Sequence, residues 1–129
     1  MSDYTTYGLN GREKIMFQGM AVPTWSLCLL TGADPGDGTY GSVELVDANY
    51  VRELLGAVTV TGAVASNSID KLWPALAAQE IIHSIGLCDS NVVGGGHLWA
   101  RKVLTAGDTT VPINELFDIA IGAFTDTAS

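Results

Sequence analysis

At 129 residues, with 47% hydrophobic content and a mean hydropathy of +0.28, the chain is long enough to bury a small core and too apolar to be disordered over most of its length. Fourteen acidic residues against six basic ones leave a formal charge of −8, a surface that repels phosphate backbones and argues against nucleic-acid binding. No uninterrupted apolar run reaches the roughly 18 residues of a membrane span, and MSDYTTYGLNGREK lacks the basic-then-apolar pattern of a signal peptide. These features predict one soluble domain, made in a cytoplasm.

Residues 1–9 are polar and aromatic and read as an N-terminal arm; 10–124 form the domain and 125–129 a polar tail. Asn10 is placed to cap a short helix from Gly11 to Gly19, which Pro23 follows. Thr24 to Thr31 is a first strand, with Trp25, Leu27 and Leu29 on one face and Ser26, Cys28 and Leu30 on the other. Gly32 to Gly41 carries the glycines, proline and aspartates of a loop. Val43 to Val46 reads as a short edge strand, and Tyr50 to Thr61 as a strand bulged near Gly56. Asn67 to Trp73 is a further strand, stopped by Pro74; Ala75 to Glu80 has helical propensity but is too short to stand alone.

Ile81 to Leu104 reads as a hairpin around the glycine-rich turn 89–96. Its first strand alternates Ile81, His83, Ile85 and Leu87 against Ile82, Ser84, Gly86 and Cys88. Its second alternates His97, Trp99, Arg101 and Val103 against Leu98, Ala100, Lys102 and Leu104. Residues 105–110 form a turn, Val111 to Asn114 an edge segment, and Phe117 to Phe124 the last strand. The expected fold class is all-β, a sandwich or jelly roll with one short N-terminal helix. Ile85, Leu87, Trp99, Val103, Ile119 and Ile121 are the expected core.

The candidate chemistry is thin. Two histidines and two cysteines lie at long spacings in separate strands, unlike the paired ligands of a zinc site, and no metal or cofactor is expected. Cys28 and Cys88 sit inside apolar strands and read as buried free thiols. Asp34 to Gly38 lacks the further acidic ligands of a calcium loop, and Gly94 to Gly96 lacks the Lys-Ser/Thr of a phosphate loop. Ser84 and Cys88 flank His83, but strand alternation points Ser84 away from it and no nucleophile elbow is present, so no catalytic residue is expected. Trp25, Trp73 and Trp99 read as core or interface anchors rather than a ligand platform.

Over roughly residues 10–124 the pattern resembles a family of small bacteriophage virion proteins, whose members carry tail-fibre, minor-structural or capsid-cement labels. The stretches that carry the likeness are PTWSLCLLTGADPGDG, the extended segment with Tyr50 and Arg52, the strand ending at Trp73-Pro74, and IIHSIGLCDSNVVGGGHLWARKVLTAGDTTVPIN. His83, Gly86, Asp89, Gly95, Leu98, Gly107 and Asp108 occupy the positions of the family pattern; Ala75 to Glu80 and Cys88 depart from it. The resemblance implies a virion structural protein, a capsid decoration (cement) protein before a minor tail or tail-fibre attachment component. A small ligand-binding module or enzyme is the third class. The resemblance also implies a homotrimer, with the major capsid protein or tail proteins as partners.

Strands apolar on both sides ask for a second buried surface, which self-association would supply. Tyr4 and Tyr7 of the arm, with Trp25 and Trp73, are the expected interface residues.

Overall fold

A computed structural model of the chain describes residues 3–62, 64–119 and 124–127. These residues form one helix and a set of short antiparallel strands. In chain order they are α1 (Thr6–Gln18), β1 (Ser26–Leu30), β2 (Glu53–Leu54), β3 (Val58–Thr61), β4 (Val64–Asn67), β5 (Lys71–Trp73), β6 (Glu80–Ile82), β7 (Ser84–Cys88), β8 (Leu98–Val103), β9 (Thr109–Val111), β10 (Phe117–Ile119) and β11 (Thr125–Thr127). The main sheet runs β2-β1-β7-β8; a second runs β11-β4-β3; β10-β5 and β6-β9 are two-stranded. The all-β expectation therefore holds at the level of antiparallel sheets with one helix.

β1 is the centre. Its five residues are all buried, and it pairs with β7 from Ser26↔Cys88 to Leu30↔Ser84. Because strand side chains alternate, the two faces of β1 feed two clusters. Leu27 and Leu29 join Leu45, Tyr50, Trp73, Leu76, Ile82, Ile85, Val111 and Ile119. Cys28 and Leu30 join Cys88 and Leu98, with Tyr40 and Val43 packed against them. The predicted hairpin is the β7-β8 pair, with a bulge between Leu87 and Cys88.

Several boundaries and faces differ from the sequence expectation. The helix begins five residues before Asn10 could cap it: Thr5 is the N-cap, its Oγ1 accepting from Gly8 N at 3.0 Å. The same hydroxyl donates to Leu98 O at 2.6 Å, so a tertiary partner selects the cap. Gly19 ends the helix at φ 69°, a left-handed conformation that suits glycine. The 1–9 arm is thus corrected: residues 6–9 are helical, and Asp3 to Thr5 lie along the outer edge of β8. Tyr4 bridges Ala100, Arg101 N donates to Asp3 O at 2.8 Å and Thr5 N donates to Trp99 O at 2.9 Å.

The stretch 81–88 is broken at His83, where the chain changes partner from β9 to β1 and β8. The alternation changes phase there, so Ile82 is fully buried and Ile81 exposed. Val43 to Val46 is an extended segment with one bridge, Leu30↔Glu44, rather than a strand. Tyr50 to Thr61 contains β2 and β3, and of Asn67 to Trp73 only Lys71 to Trp73 is a strand of its own, β5, Asn67 being the last residue of β4. Ala75 to Gln79 is neither helix nor strand. Thr125 to Thr127, expected as tail, pair with β4.

Of the expected core, Ile85, Trp99 and Ile119 are buried and Leu87 is half-buried. Val103 is 55% exposed, because it is the terminal residue of β8 and its pair, Ser84, opens β7. Ile121 lies outside the described residues.

Candidate interaction surface

The first notable site is interior. Glu44 and Arg52, the one a break in the apolar run Val43 to Val46 and the other two residues after Tyr50, are both buried. The guanidinium grips the carboxylate with two bonds, Nη2 to Oε1 at 2.7 Å and Nε to Oε2 at 2.8 Å. Tyr50 donates its hydroxyl to Glu44 Oε2 at 2.7 Å and accepts from Leu29 N at 3.0 Å. The remaining valences reach across to the glycine turn. Arg52 Nη1 donates to Ser90 O at 2.7 Å and Gly95 O at 3.0 Å, and Gly94 N donates to Glu44 Oε1 at 2.8 Å. Tyr40 donates to Gly95 O at 2.8 Å and lies under the Arg52 guanidinium.

Every charged atom of this pair is bonded, which a desolvated ion pair requires. Burial works against the Arg52 charge, but the bonds and charge of Glu44 outweigh it and hold the guanidinium more firmly protonated than usual. Burial, followed by the neighbouring Cys28 and Glu44, pushes the Tyr50 hydroxyl up; burial does the same for Tyr40. The cluster is a clasp: it fastens 89–97 to 40–52 and leaves no free nucleophile. Sequence reading attached Tyr50 and Arg52 only to a family pattern and missed Glu44 and Tyr40. The available signal was Glu44 alone, a single charge inside the apolar run Val43 to Val46; Arg52 has Glu53 beside it and stands out less.

The helix docks through its glycines. A Cβ on Gly8 would collide with the Trp99 carbonyl, and one on Gly11 with the Trp99 ring. Trp99 is therefore covered on one side by bare backbone. Trp25 and Tyr7 meet its ring edge-to-face at 4.8 and 5.8 Å, and Tyr7 stacks on His97 at 3.9 Å. Asp89 secures the other end of this group, accepting from Trp99 Nε1 at 2.9 Å and His97 N at 2.7 Å.

Only Gly8 and Gly11 of α1 are buried, so the later half of the helix buries no residue fully. It carries Met16 and Phe17 at 65% and 75% exposure, and Met20 and Val22 continue the apolar surface beyond Gly19. A second apolar surface lies on the edge strand β3, where all four residues are exposed and Val60 reaches 70%. The sixteen residues from Leu54 to Ile69 contain no charge. A third feature is an apolar groove of about 170 Å³ lined by Tyr4, Trp25, Leu55, Val58, Leu87 and Phe124 among others.

The four expected interface residues therefore separate. Tyr4 and Trp25 share the groove; Tyr7 is half-buried beside Trp99. Trp73 has no exposed surface and packs edge-on against Phe117 at 5.6 Å, so it is a core residue and leaves the interface set.

The structure also places the residues weighed for chemistry. His83 Nδ1 lies 3.2 Å from Ser84 Oγ, against the expectation that the two point apart, because the strand break at His83 turns the ring. Ser84 is buried, and among the described residues no carboxylate is bonded to His83. Asp34 is committed to Arg101 at 2.8 Å and to Gly36 N, and Asp37 to Thr39. Among the described residues no three His, Cys, Asp or Glu side chains come together as a metal site, and no helix is long and apolar enough to cross a membrane.

No family model matches the chain, and no curated protein matches it.

Proposed function

We propose that the chain is a bacteriophage virion structural protein, a capsid decoration (cement) protein that binds the head shell as a homo-oligomer, a trimer in the reading taken from the family resemblance. The observation that carries this is the set of exposed apolar side chains at and just beyond the end of α1, Met16, Phe17, Met20 and Val22, on a helix docked through its glycines against Trp99. Exposed apolar surface on a small acidic domain marks a place where another protein sits. The clasp and the two cores supply a stiff scaffold for it; the short strands are read as the two layers of a β-sandwich of jelly-roll type.

A shell-binding protein stabilises its partner by mass action, in proportion to how tightly it binds the assembled state. The alternative within the same class is a minor tail protein or tail-fibre attachment component, with tail proteins as partners. The test is incorporation. Phe17→Glu places a charge on the exposed surface while leaving the dock untouched. It should keep the fold and lose attachment to particles. Full incorporation of a folded Phe17→Glu protein would count against this surface as the contact.

A further inference from the structure

We propose that Cys28 and Cys88 are a disulfide-forming site, closed when the folded chain meets a hydroperoxide. Cys28 lies opposite Gly86, and Cys88 opposite Ser26, so the two cysteines are diagonal neighbours on one face of the β1-β7 pair. Their sulfurs are 3.0 Å apart. A disulfide needs about 2.05 Å, so closure asks for a movement of roughly 1 Å. Gly86 makes the room: a Cβ there would stand 2.5 Å from Cys28 Sγ. The chain has two cysteines in all, so there is no competing pairing within one molecule.

The two thiols differ in a way that orders the reaction. The hydrogen bond with Cys28, helped by the Arg52 charge, draws the Cys88 thiol below its usual value, while burial pushes Cys28 well up. Cys88 is then the first nucleophile. It loses its proton, and its sulfur attacks one peroxide oxygen. The O–O bond breaks, and the departing oxygen leaves as water. Cys28 sulfur next attacks the Cys88 sulfenic acid, forming the S–S bond. The hydroxyl leaves as a second water with the Cys28 proton. Two thiols and one hydrogen peroxide become one disulfide and two waters; the sulfurs give up the two electrons that the peroxide gains. Both sulfurs are fully buried, so the rate is set by local opening and is slower than that of an exposed thiol.

The experiment uses the full-length protein, purified in reductant, freed of it, and exposed to hydrogen peroxide while folded. It is then unfolded in the presence of a maleimide and weighed. The expected product is a monomer lighter by about 2 Da that takes up no maleimide. Proteolysis without reduction should give a linked peptide containing both cysteines. Its thermal midpoint should lie above that of the reduced protein and return on adding dithiothreitol. The Cys28→Ala variant should instead accumulate a dimedone-reactive Cys88; should that variant fail to fold, the linked peptide of the native sequence decides alone. Two maleimides on the peroxide-treated native chain, or links only between chains, would overturn the proposal.

Discussion

Glu44 and Arg52 are the residues on which the loops depend most. Removing one partner leaves a buried, unpaired charge, so Arg52→Ala should cost about 3–5 kcal/mol of stability, measured by urea unfolding. Replacing both by apolar residues of similar size should cost much less. A loss under about 1 kcal/mol for Arg52→Ala would place the pair among solvated surface pairs. Gly8→Ala tests the helix dock: the new methyl meets the Trp99 backbone, an overpacking cost of about 1–3 kcal/mol, with a change in the near-ultraviolet tryptophan signal.

Asp47 tests the pH dependence. Its carboxylate accepts from Ala77 N at 2.9 Å, Asn49 N at 2.9 Å and Ala78 N at 3.1 Å, and these bonds, that of Ala77 first, hold it below its ordinary value of 3.8. A depressed carboxyl contributes stability that is present above its unfolded value and is lost as the pH falls through the folded one. Glu80 runs the other way, raised by burial and by Asp47, so its ionised form weakens the fold. In a Glu80→Gln background, the gap between Asp47 and Asp47→Asn should be constant above the ordinary carboxyl range and shrink on acidification below it. A gap that widened on acidification would reverse the assignment. None of these three sites was legible from sequence. A carboxylate that caps a loop thirty residues away leaves no periodic trace.

Elements were legible where one physical rule dominated. β1 and the β7-β8 hairpin follow from alternation and a glycine-rich turn, and the helix end follows from Gly19. The helix start was misplaced because Asn10 and Thr5 are both competent caps, and the choice falls to the Leu98 carbonyl that Thr5 also reaches. The phase change at His83 was invisible because Ile81 and Ile82 are equally apolar; only pairing with β9 distinguishes them.

The corrected arm changes what its removal does. Asp3 to Thr5 cover the β8 edge, cap α1 and pair with Lys102 at 3.0 Å, so deleting residues 1–5 should lower the unfolding midpoint of the isolated chain. An unchanged midpoint would mean that these contacts add nothing to the stability of the fold. Val60→Lys on β3 should leave the midpoint nearly unchanged, with a stability change within about 0.5 kcal/mol, since its side chain is largely in water. Any loss of self-association in that variant, seen by light scattering, would then belong to an interface.

At the scale of the whole molecule, composition anticipated a small acidic β-rich domain, and the structure adds where its apolar surface remains open. Sequence reading put partners on aromatic residues, which is half right in physical terms. Rings bury large areas, but Trp73 and Trp99 spend that area inside the fold, while the less conspicuous Met16, Phe17 and Val60 stand outside it. Chain patterning reports which residues avoid water, not whether their own chain or another covers them.

The proposed role is tested most directly by counting copies of this chain, by quantitative mass spectrometry against the major capsid protein, in purified particles of any phage whose genome is found to carry its gene. Decoration of a symmetric shell predicts on the order of hundreds of copies per particle, whereas a tail position predicts roughly three to twelve. Particles that contain none of the chain would contradict a virion role altogether.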